Sequence, residues 1–265
     1  MDPDSPQPAA TANDASAATA ADGFIPHGRS TSAGSGWAWI ADGFTLFARS
    51  WGMWILFAIA MLVISIALSL VPFVGQFAFN LLMPFVVAGA MIGCRAAEKG
   101  EDLEIDHFVA GFSSEPGSLV VLGLLYIAAT VLIVIAFLLI VGGSIGLAAF
   151  AHPEDFMTSL GATAVVSILG AVTVVLVLGT LLIMAYWFAI PLVVFHKVAP
   201  VDALKRSFMA FVKNIPPMLV YSIVMFCFMI VASIPLGLGW LVLGPLFFTS
   251  AYRSYRDVFV AADAP

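Results

Sequence analysis

Residues 119–141 have the sequence LVVLGLLYIAATVLIVIAFLLIV, an uninterrupted apolar run without a charged side chain. A helix needs about 20 mostly apolar residues to cross the hydrocarbon core of a bilayer, which is about 30 Å thick. Backbone groups in lipid must be hydrogen-bonded within the segment, and the run is continuous rather than alternating, which favours a helix over a barrel strand. This stretch therefore predicts a transmembrane helix.

The composition of the whole chain agrees with this prediction. Of its 265 residues, 62% are hydrophobic and only 10% are charged, whereas soluble domains carry about 25% charged residues. A water-soluble fold cannot cover so much apolar surface. The sequence predicts an all-α polytopic membrane protein in which six transmembrane helices form three helical hairpins: 51–71, 77–94, 119–141, 160–187, 218–234 and 236–252.

The positive charges indicate how the chain is oriented. All ten Lys and Arg residues lie on one side of the six spans: Arg29, Arg49, Arg95, Lys99, Lys197, Lys205, Arg206, Lys213, Arg253 and Arg256. Loops rich in these residues stay in the cytoplasm. We therefore predict a multi-pass protein of a bacterial inner (plasma) membrane with cytoplasmic N- and C-termini. The net charge of −6 and the lack of a basic stripe exclude nucleic acid as an expected partner.

Three segments divide the chain. Residues 1–36 are rich in Ala, Ser, Thr, Pro, Asp and Gly, a composition that buries too little apolar surface to offset ordering, so we expect a disordered cytoplasmic tail. Residues 37–256 form a single transmembrane domain, and residues 257–265 form a short cytoplasmic tail.

An amphipathic helix is predicted before each hairpin. Within residues 37–50, apolar side chains recur at the three- and four-residue spacing of one helical face: Trp37, Ile40, Phe44 and Phe47. Similar segments end at Phe112 and cover residues 200–213. Such helices lie in the membrane interface, and four tryptophans are expected at headgroup level, namely Trp37, Trp39, Trp51 and Trp54.

The first and last parts of the chain resemble each other. Phe44, Phe47, Arg49, Pro72, Pro84 and Arg95 correspond in order to Phe208, Phe211, Lys213, Pro235, Pro245 and Arg256. The spacing is the same among the first three residues of each set and between the last proline and the arginine. The middle part fits loosely, with Phe108 and Phe112 before its hairpin and Pro191 near its end. We predict three parallel repeats, each an interfacial helix followed by a hairpin. The alternative is that any apolar hairpin has a Pro or Gly turn and a basic end.

Polar chemistry is scarce in the predicted spans. No Asp, Glu, Lys, Arg or His lies in the centre of a span, which argues against a proton-coupled transporter or pump. The polar residues near mid-span are Ser65, Tyr126, Thr130, Ser167, Thr173, Tyr221 and Ser222. They predict interhelical hydrogen bonds, and a polar path through the bundle is the alternative.

We predict no catalytic, cofactor-binding or metal-binding residue, and no cofactor. Cys94 and Cys227 are interpreted as small buried hydrophobes rather than as a redox pair or metal ligands. His152 has two acidic neighbours that could complete a metal site, and His107 with Asp106 could form an acid–base pair. Solvated polar segments explain both, and no catalytic or metal-binding motif accompanies them.

Two pairs of glycines indicate close helix packing. Gly89 with Gly93 and Gly142 with Gly146 place small residues four apart, which suits packing within the chain, a homo-oligomer or a protein partner. Membrane lipids are the other expected partners. The middle hairpin is longer than one crossing requires, so it tilts strongly or projects beyond the membrane, and we favour projection with a kink near Gly142 and Gly143.

Several short stretches resemble an uncharacterised bacterial family of polytopic inner-membrane proteins. They are GWAWI at 36–40, GMW at 52–54, LVPFVG at 70–75, MPF at 83–85, AGAM at 88–91 and HFVAGF at 107–112. Residues 191–217 are more loosely similar to the membrane domain fused to some glycerophosphodiesterases. The resemblance implies fold and location, and it implies no activity.

Three classes of function follow from these observations. A non-catalytic scaffold or accessory membrane subunit agrees best with the scarcity of polar sites. A carrier or channel for a lipid or small apolar solute is the alternative, favoured by the long middle hairpin and the spans that contain proline. An intramembrane enzyme ranks third because no catalytic cluster is apparent. A solid core with an exposed apolar groove would favour the scaffold, and a wide cavity lined by Ser, Thr and Tyr would favour the carrier.

Overall fold

The computed structural model describes residues 23–261, apart from residues 73, 152 and 155 and the side chains of residues 156, 158 and 159. Its helices are α1 (Ser35–Arg49), α2 (Trp51–Ser69), α3 (Val74–Glu98), α4 (Ile105–Val109), α5 (Pro116–Ala151), α6 (Phe156–Tyr186), α7 (Ala189–His196), α8 (Pro200–Lys213), α9 (Ile215–Ser233) and α10 (Trp240–Phe259), with a 3-10 turn at Ala110–Phe112. The start of the predicted tail, and the candidate metal site around His152 and Asp155, lie outside the described residues.

The prediction of an all-α polytopic membrane protein is confirmed. Five helical segments are long and apolar enough to cross a bilayer: Trp51–Ser69, Val74–Glu98, Pro116–Ala151, Leu160–His196 and Ile215–Ser233. The sixth predicted span, residues 236–252, falls partly in a turn and partly in α10. Because α10 carries Arg253, Arg256 and Asp257 in its second half, its apolar part is short, and the number six stays a prediction.

The helices follow a threefold order along the chain. In each unit a short helix precedes a hairpin of two long helices: α1 with α2 and α3, α4 with α5 and α6, and α8 with α9 and α10. Helix α7 continues the second hairpin. The predicted repeat of short helix and hairpin is therefore present in all three units, the middle one included.

The short helix of each unit packs on the second long helix of another unit. Helix α4 and its 3-10 turn lie on α3, α8 lies on α6 and α7, and α1 lies on α10. Since the last contact joins the beginning of the chain to its end, the three units form a closed ring. All ten Lys and Arg residues lie at or beyond the hairpin ends that meet these short helices, hereafter the charged end.

A small residue marks the contact point of each short helix. Gly43, Gly111 and Ser207 are each followed by phenylalanine. A Cβ on Gly43 would lie 2.7 Å from the Cα of Ser250, and one on Gly111 would lie 2.6 Å from the backbone nitrogen of Gly89. Ser250 and Gly89 both lie five residues after the proline inside their helix. The first two contacts therefore use the same register.

The short helix of the third unit, α8, uses a hydroxyl where it meets the middle unit. The Oγ of Ser207 accepts a hydrogen bond from the backbone N–H of Phe188 (2.9 Å) and donates one to the carbonyl of Met184 (3.0 Å). These backbone groups are four residues apart and would bond to each other in a continuous helix, so the inserted hydroxyl explains the break between α6 and α7. In this register Ile183 matches the prolines of the other units, so the predicted match to Pro191 is wrong.

Residues 23–36 are ordered, which corrects the prediction of a disordered tail up to residue 36. Phe24 pairs with Val260 in an antiparallel bridge, and the N–H of Ile25 donates to the carbonyl of Phe259 at 2.8 Å. Residues 35 and 36 already belong to α1. The predicted C-terminal tail is also shorter than expected, because α10 continues to Phe259. Both ends of the described chain thus pack together at the charged end.

The hydrophobic core lies near the charged end and is rich in aromatic rings. Trp39 and Trp54 are only 2% and 0% exposed, so two of the four tryptophans expected at headgroup level are core residues. Trp37 and Trp51 are exposed, as expected for interfacial anchors. The amphipathic pattern could not separate the two groups, because a helix between lipid and protein has apolar residues on both faces.

The middle hairpin stands apart from this core. Helix α5 has 36 residues and α6 has 31, which correspond to lengths of about 54 Å and 46 Å. The buried residues of α5 are Leu119, Leu122 and Gly123, all near its start. The helix continues through Gly142 and Gly143 without interruption, so the structure gives no break at the predicted kink.

Candidate functional site

The most extensive polar cluster centres on Glu98, the last residue of α3. Its carboxylate accepts hydrogen bonds from the hydroxyl of Tyr252 (2.6 Å) and from Nη1 of Arg253, and it forms an ion pair with Nε of Arg256 at 3.1 Å. Nη2 of Arg253 also lies 3.3 Å from Oδ2 of Asp42 on α1. The cluster therefore ties α1, α3 and α10 together.

A second carboxylate holds the N-terminal segment in place. Oδ1 of Asp257 accepts from Nη2 of Arg29 at 2.7 Å, and Oδ2 accepts from the indole Nε1 of Trp39 at 2.9 Å. The pairing orients Trp39 between α1 and α10 and explains why this tryptophan lies in the core. Asp257 thus stabilises the contact that closes the ring.

Asn214 is a third anchor for the same segment. It occupies the N-cap position of α9, yet its side chain makes no capping hydrogen bond. Its Oδ1 accepts from the backbone N–H of Thr31 (2.8 Å), and its Nδ2 donates to the carbonyls of Arg29 (2.9 Å) and Ala210 (2.8 Å). The side chain is fully buried, so these bonds satisfy polar atoms that would otherwise lack a partner.

These polar clusters hold the repeat units together. The carboxylates of Glu98 and Asp257 face arginine, tyrosine and tryptophan donors of the same chain, and these contacts join one repeat unit to another. In the part of the chain that the structure describes, no group of three or more His, Cys, Asp or Glu residues could hold a metal ion. The prediction that the protein has no catalytic, cofactor or metal residue stays a prediction.

An apolar groove of about 420 Å³ lies where the first and second units meet. Its walls come from α2 (Leu56, Phe57 and Ala60), from α3 (Val86) and from α4 (Ile105 and Phe108). The rings of Phe57 and Phe108 stack with centroids 4.4 Å apart. All residues that line the groove are apolar, so it offers no hydrogen-bonding group to a polar solute.

Four of the seven polar residues near mid-span bond within their own helix or pair with another helix. Oγ of Ser144 bonds Oγ of Ser167 across the middle hairpin, and the hydroxyl of Tyr221 lies 2.8 Å from Oγ of Ser250. The hydroxyl of Thr173 bonds a carbonyl of its own helix, as that of Ser65 does. For Ser167 and Tyr221 the predicted interhelical hydrogen bonds are present.

The two predicted glycine pairs have different surroundings. A Cβ on Gly89 would lie 2.1 Å from the carbonyl oxygen of Phe108, and one on Gly93 would lie 2.9 Å from Leu103, so this face is occupied by the chain itself. Gly142 and Gly146 have no described neighbour within 4 Å of a Cβ. Packing within the chain explains the first pair and leaves the second open to a partner.

The two cysteines are not a matched pair. Cys94 is buried as predicted, whereas Cys227 is exposed on the surface of α9. The prediction that both are buried is therefore wrong for Cys227. Its position in the middle of an apolar span gave no indication of which helix face it occupies.

Sequence reasoning missed the residues that close the ring. Glu98, Asp257 and Asn214 lie at helix ends, where charged and amide side chains are normally solvated. The available signal was that each acid adjoins a basic residue at a helix end, Glu98 next to Lys99 and Asp257 next to Arg256. A search restricted to the centres of the spans could not find them.

No family model matches the chain, and no solved structure matches it. A curated relative, a probable inner membrane protein of Burkholderia thailandensis, is 26% identical over 254 residues, which cover 86% of this chain and 92% of the relative. These comparisons do not bear out the looser similarity to glycerophosphodiesterase membrane domains. The similarity to the Burkholderia thailandensis protein and the apolar helices of this chain together support the conclusion that it is a multi-pass inner-membrane protein.

Proposed function

We propose that this protein is a non-catalytic scaffold or accessory subunit of the inner membrane, with both termini in the cytoplasm. The observation that carries the proposal is the middle hairpin: the buried residues of α5 all lie near its start, and large apolar side chains are exposed along both helices. We infer that the hairpin packs against another membrane polypeptide, while the ring of short helices holds it in a fixed position.

The exposed surface of the hairpin supports this proposal. Leu132, Leu139 and Val166 are 66%, 68% and 70% exposed although they lie deep within α5 and α6. The open glycines Gly142 and Gly146 lie on α5 and would let a partner helix approach closely. Lipid can cover such side chains, but a bilayer core of about 30 Å is shorter than these helices. A partner would cover the excess apolar length.

The polar groups of the charged end also favour a scaffold over an enzyme. The carboxylates of Glu98 and Asp257 bind donors of their own chain, and the groove between the first and second units is lined by apolar residues. This combination of a solid core with an exposed apolar groove is the arrangement expected for a scaffold.

Photo-crosslinking in living cells tests the proposal. A photoreactive phenylalanine analogue at Leu139 is expected to give discrete protein adducts, because this side chain lies on the open face of the hairpin. The same analogue at Leu62, an exposed leucine of α2, serves as the matched control and should give lipid adducts only. Equal protein labelling at both positions, or none at Leu139, contradicts the proposal, as does a C-terminal reporter that reads periplasmic.

A carrier for a lipid or small apolar solute remains the second candidate, because the groove beside α2 has the chemistry of an acyl-chain site. Measuring lipid transfer in reconstituted vesicles distinguishes the carrier from the scaffold. A scaffold leaves the rate of lipid transfer between leaflets at the protein-free value, whereas a carrier raises it.

A further inference from the structure

We propose that the groove between α2, α3 and α4 binds one acyl chain of a phosphatidylethanolamine molecule, whose zwitterionic headgroup lies at the charged end. The inference concerns a lipid site on the first unit and is independent of the proposed role of the middle hairpin. Three observations support it: the length of the groove, its chemistry and the charges at its mouth.

The length of the groove matches one leaflet. Along α2 its lining extends from Met53 to Ile64, which corresponds to about 16 Å at 1.5 Å per residue. This is about half of the ~30 Å hydrocarbon core. Since Met53 lies in the first turn of α2, beside the charged end, the groove begins near the headgroups and ends near the bilayer centre.

The chemistry of the walls suits a hydrocarbon chain. Leu56, Phe57, Ala60 and Val86 present methyl groups and ring faces, and Ala60 leaves space between larger neighbours. The stacked ring of Phe108 closes one side of the groove. A flexible acyl chain fits such an irregular apolar channel, whereas a polar solute would lose its hydrogen bonds to water there.

The charges at the mouth indicate the headgroup. Ile105 lines the groove, and its two sequence neighbours, Glu104 and Asp106, are exposed acids that form no ion pair with other described residues. The side chain of Glu104 also accepts a capping hydrogen bond from the backbone N–H of His107, which holds it at the start of α4. Arg49 ends α1 four residues before Met53 and is also exposed; its Nη1 donates a 3.4 Å hydrogen bond to the carbonyl of Ala97, and its other donors are left for a phosphate. An ammonium group can therefore meet the two carboxylates while the phosphate meets Arg49. An anionic lipid without the amine would face repulsion from the acids.

Native mass spectrometry tests the assignment. The purified full-length protein is delipidated and exposed to an equimolar mixture of phosphatidylethanolamine and phosphatidylglycerol with identical acyl chains. We expect one retained lipid per chain, with phosphatidylethanolamine in excess. Ala60→Phe and Ile64→Trp fill the groove and should each reduce retention about tenfold, because the displaced methylenes return to detergent. Val63→Phe, an exposed position outside the lining, is the matched control and should retain the lipid.

A double variant tests the headgroup assignment separately. Glu104→Gln combined with Asp106→Asn should bring the ratio of the two lipids close to one, while total retention stays above that of Ala60→Phe. If both groove variants retain as much lipid as Val63→Phe, the site is wrong. If the unmodified protein prefers phosphatidylglycerol, the headgroup is wrong. Neither result affects the crosslinking at Leu139, so failure here is distinguishable from failure of the scaffold role.

Discussion

At the scale of single residues, the protein places its few polar side chains where repeat units meet. Glu98 is the clearest case, since its carboxylate forms ion pairs with two arginines of α10 and accepts a hydrogen bond from a tyrosine of the same helix. A buried or half-buried carboxylate in such a network is costly to remove, because the opposing arginines lose their counter-charge. The same reasoning applies to Asp257 and to the amide of Asn214.

Replacing Glu98 by alanine should lower the free energy of unfolding in mild detergent by about 2–4 kcal/mol, the loss of several charge-assisted hydrogen bonds. Thermal unfolding followed by circular dichroism measures the change. Glu101→Ala is the control, because this exposed residue has only a 3.9 Å contact with His107. A loss for Glu98→Ala no larger than that for Glu101→Ala contradicts the role of the cluster.

How far the sequence predicts such residues depends on their neighbours. Apolar periodicity identified the long helices, because crossing a bilayer constrains length and composition together. It could not distinguish Trp39 from Trp37, since the distinction depends on Asp257 being brought from the other end of the chain. The same holds for Asn214, whose side chain bonds Thr31 and Arg29 from the other end of the domain instead of capping α9.

At the scale of elements, each short helix acts as a connection between hairpins. The contact of α1 with α10 leaves no space for a side chain at Gly43, and the contact of α4 with α3 leaves none at Gly89. The repeat was visible in sequence at the first and last units because their prolines and basic residues are spaced alike. It was obscured in the middle unit because Ile183 stands where the other units have a proline, and because the hydroxyl of Ser207 interrupts the helix there.

Substitutions at two glycines in neighbouring helices are expected to change the stability in opposite directions. Gly43→Ala should destabilise the protein by about 1–3 kcal/mol, because the new methyl group would overlap the backbone of α10. Gly52→Ala should instead stabilise it by up to about 1 kcal/mol, because the added methyl group meets open space in a helix. Detergent-solubilised unfolding curves of both variants give the signs. The same sign for both variants would rule out close packing of α1 on α10.

At the scale of the whole molecule, the three units form a ring that is closed by contacts between chain segments distant in sequence. Helices α1 and α10 belong to the first and third units, and α8 joins the third unit to the second. A helical membrane domain with such interfaces should reassemble from pieces, because each piece keeps its own hairpins and the docking surfaces for the others.

Coexpression of residues 1–197 and 198–265 as separate chains tests this closure. The break falls in the short connection between α7 and α8, outside any helix. We expect the two pieces to copurify at equal amounts through a tag on either one. Gly43→Leu in the larger piece should reduce recovery of the smaller one severalfold, whereas Gly52→Leu should not. Recovery that is insensitive to Gly43→Leu would show that α1 and α10 do not hold the pieces together.

The ring has a consequence for how the protein is made. Helix α1 leaves the ribosome early, but its binding surface on α10 is synthesised last, after roughly 200 further residues, or about 10–40 s at ~5–20 residues per second. During that interval the amphipathic helix can rest on the lipid surface, which shields its apolar face from water. The membrane interface would then bind α1 temporarily, and the transfer of α1 from the lipid surface to α10 would be the last step of biogenesis.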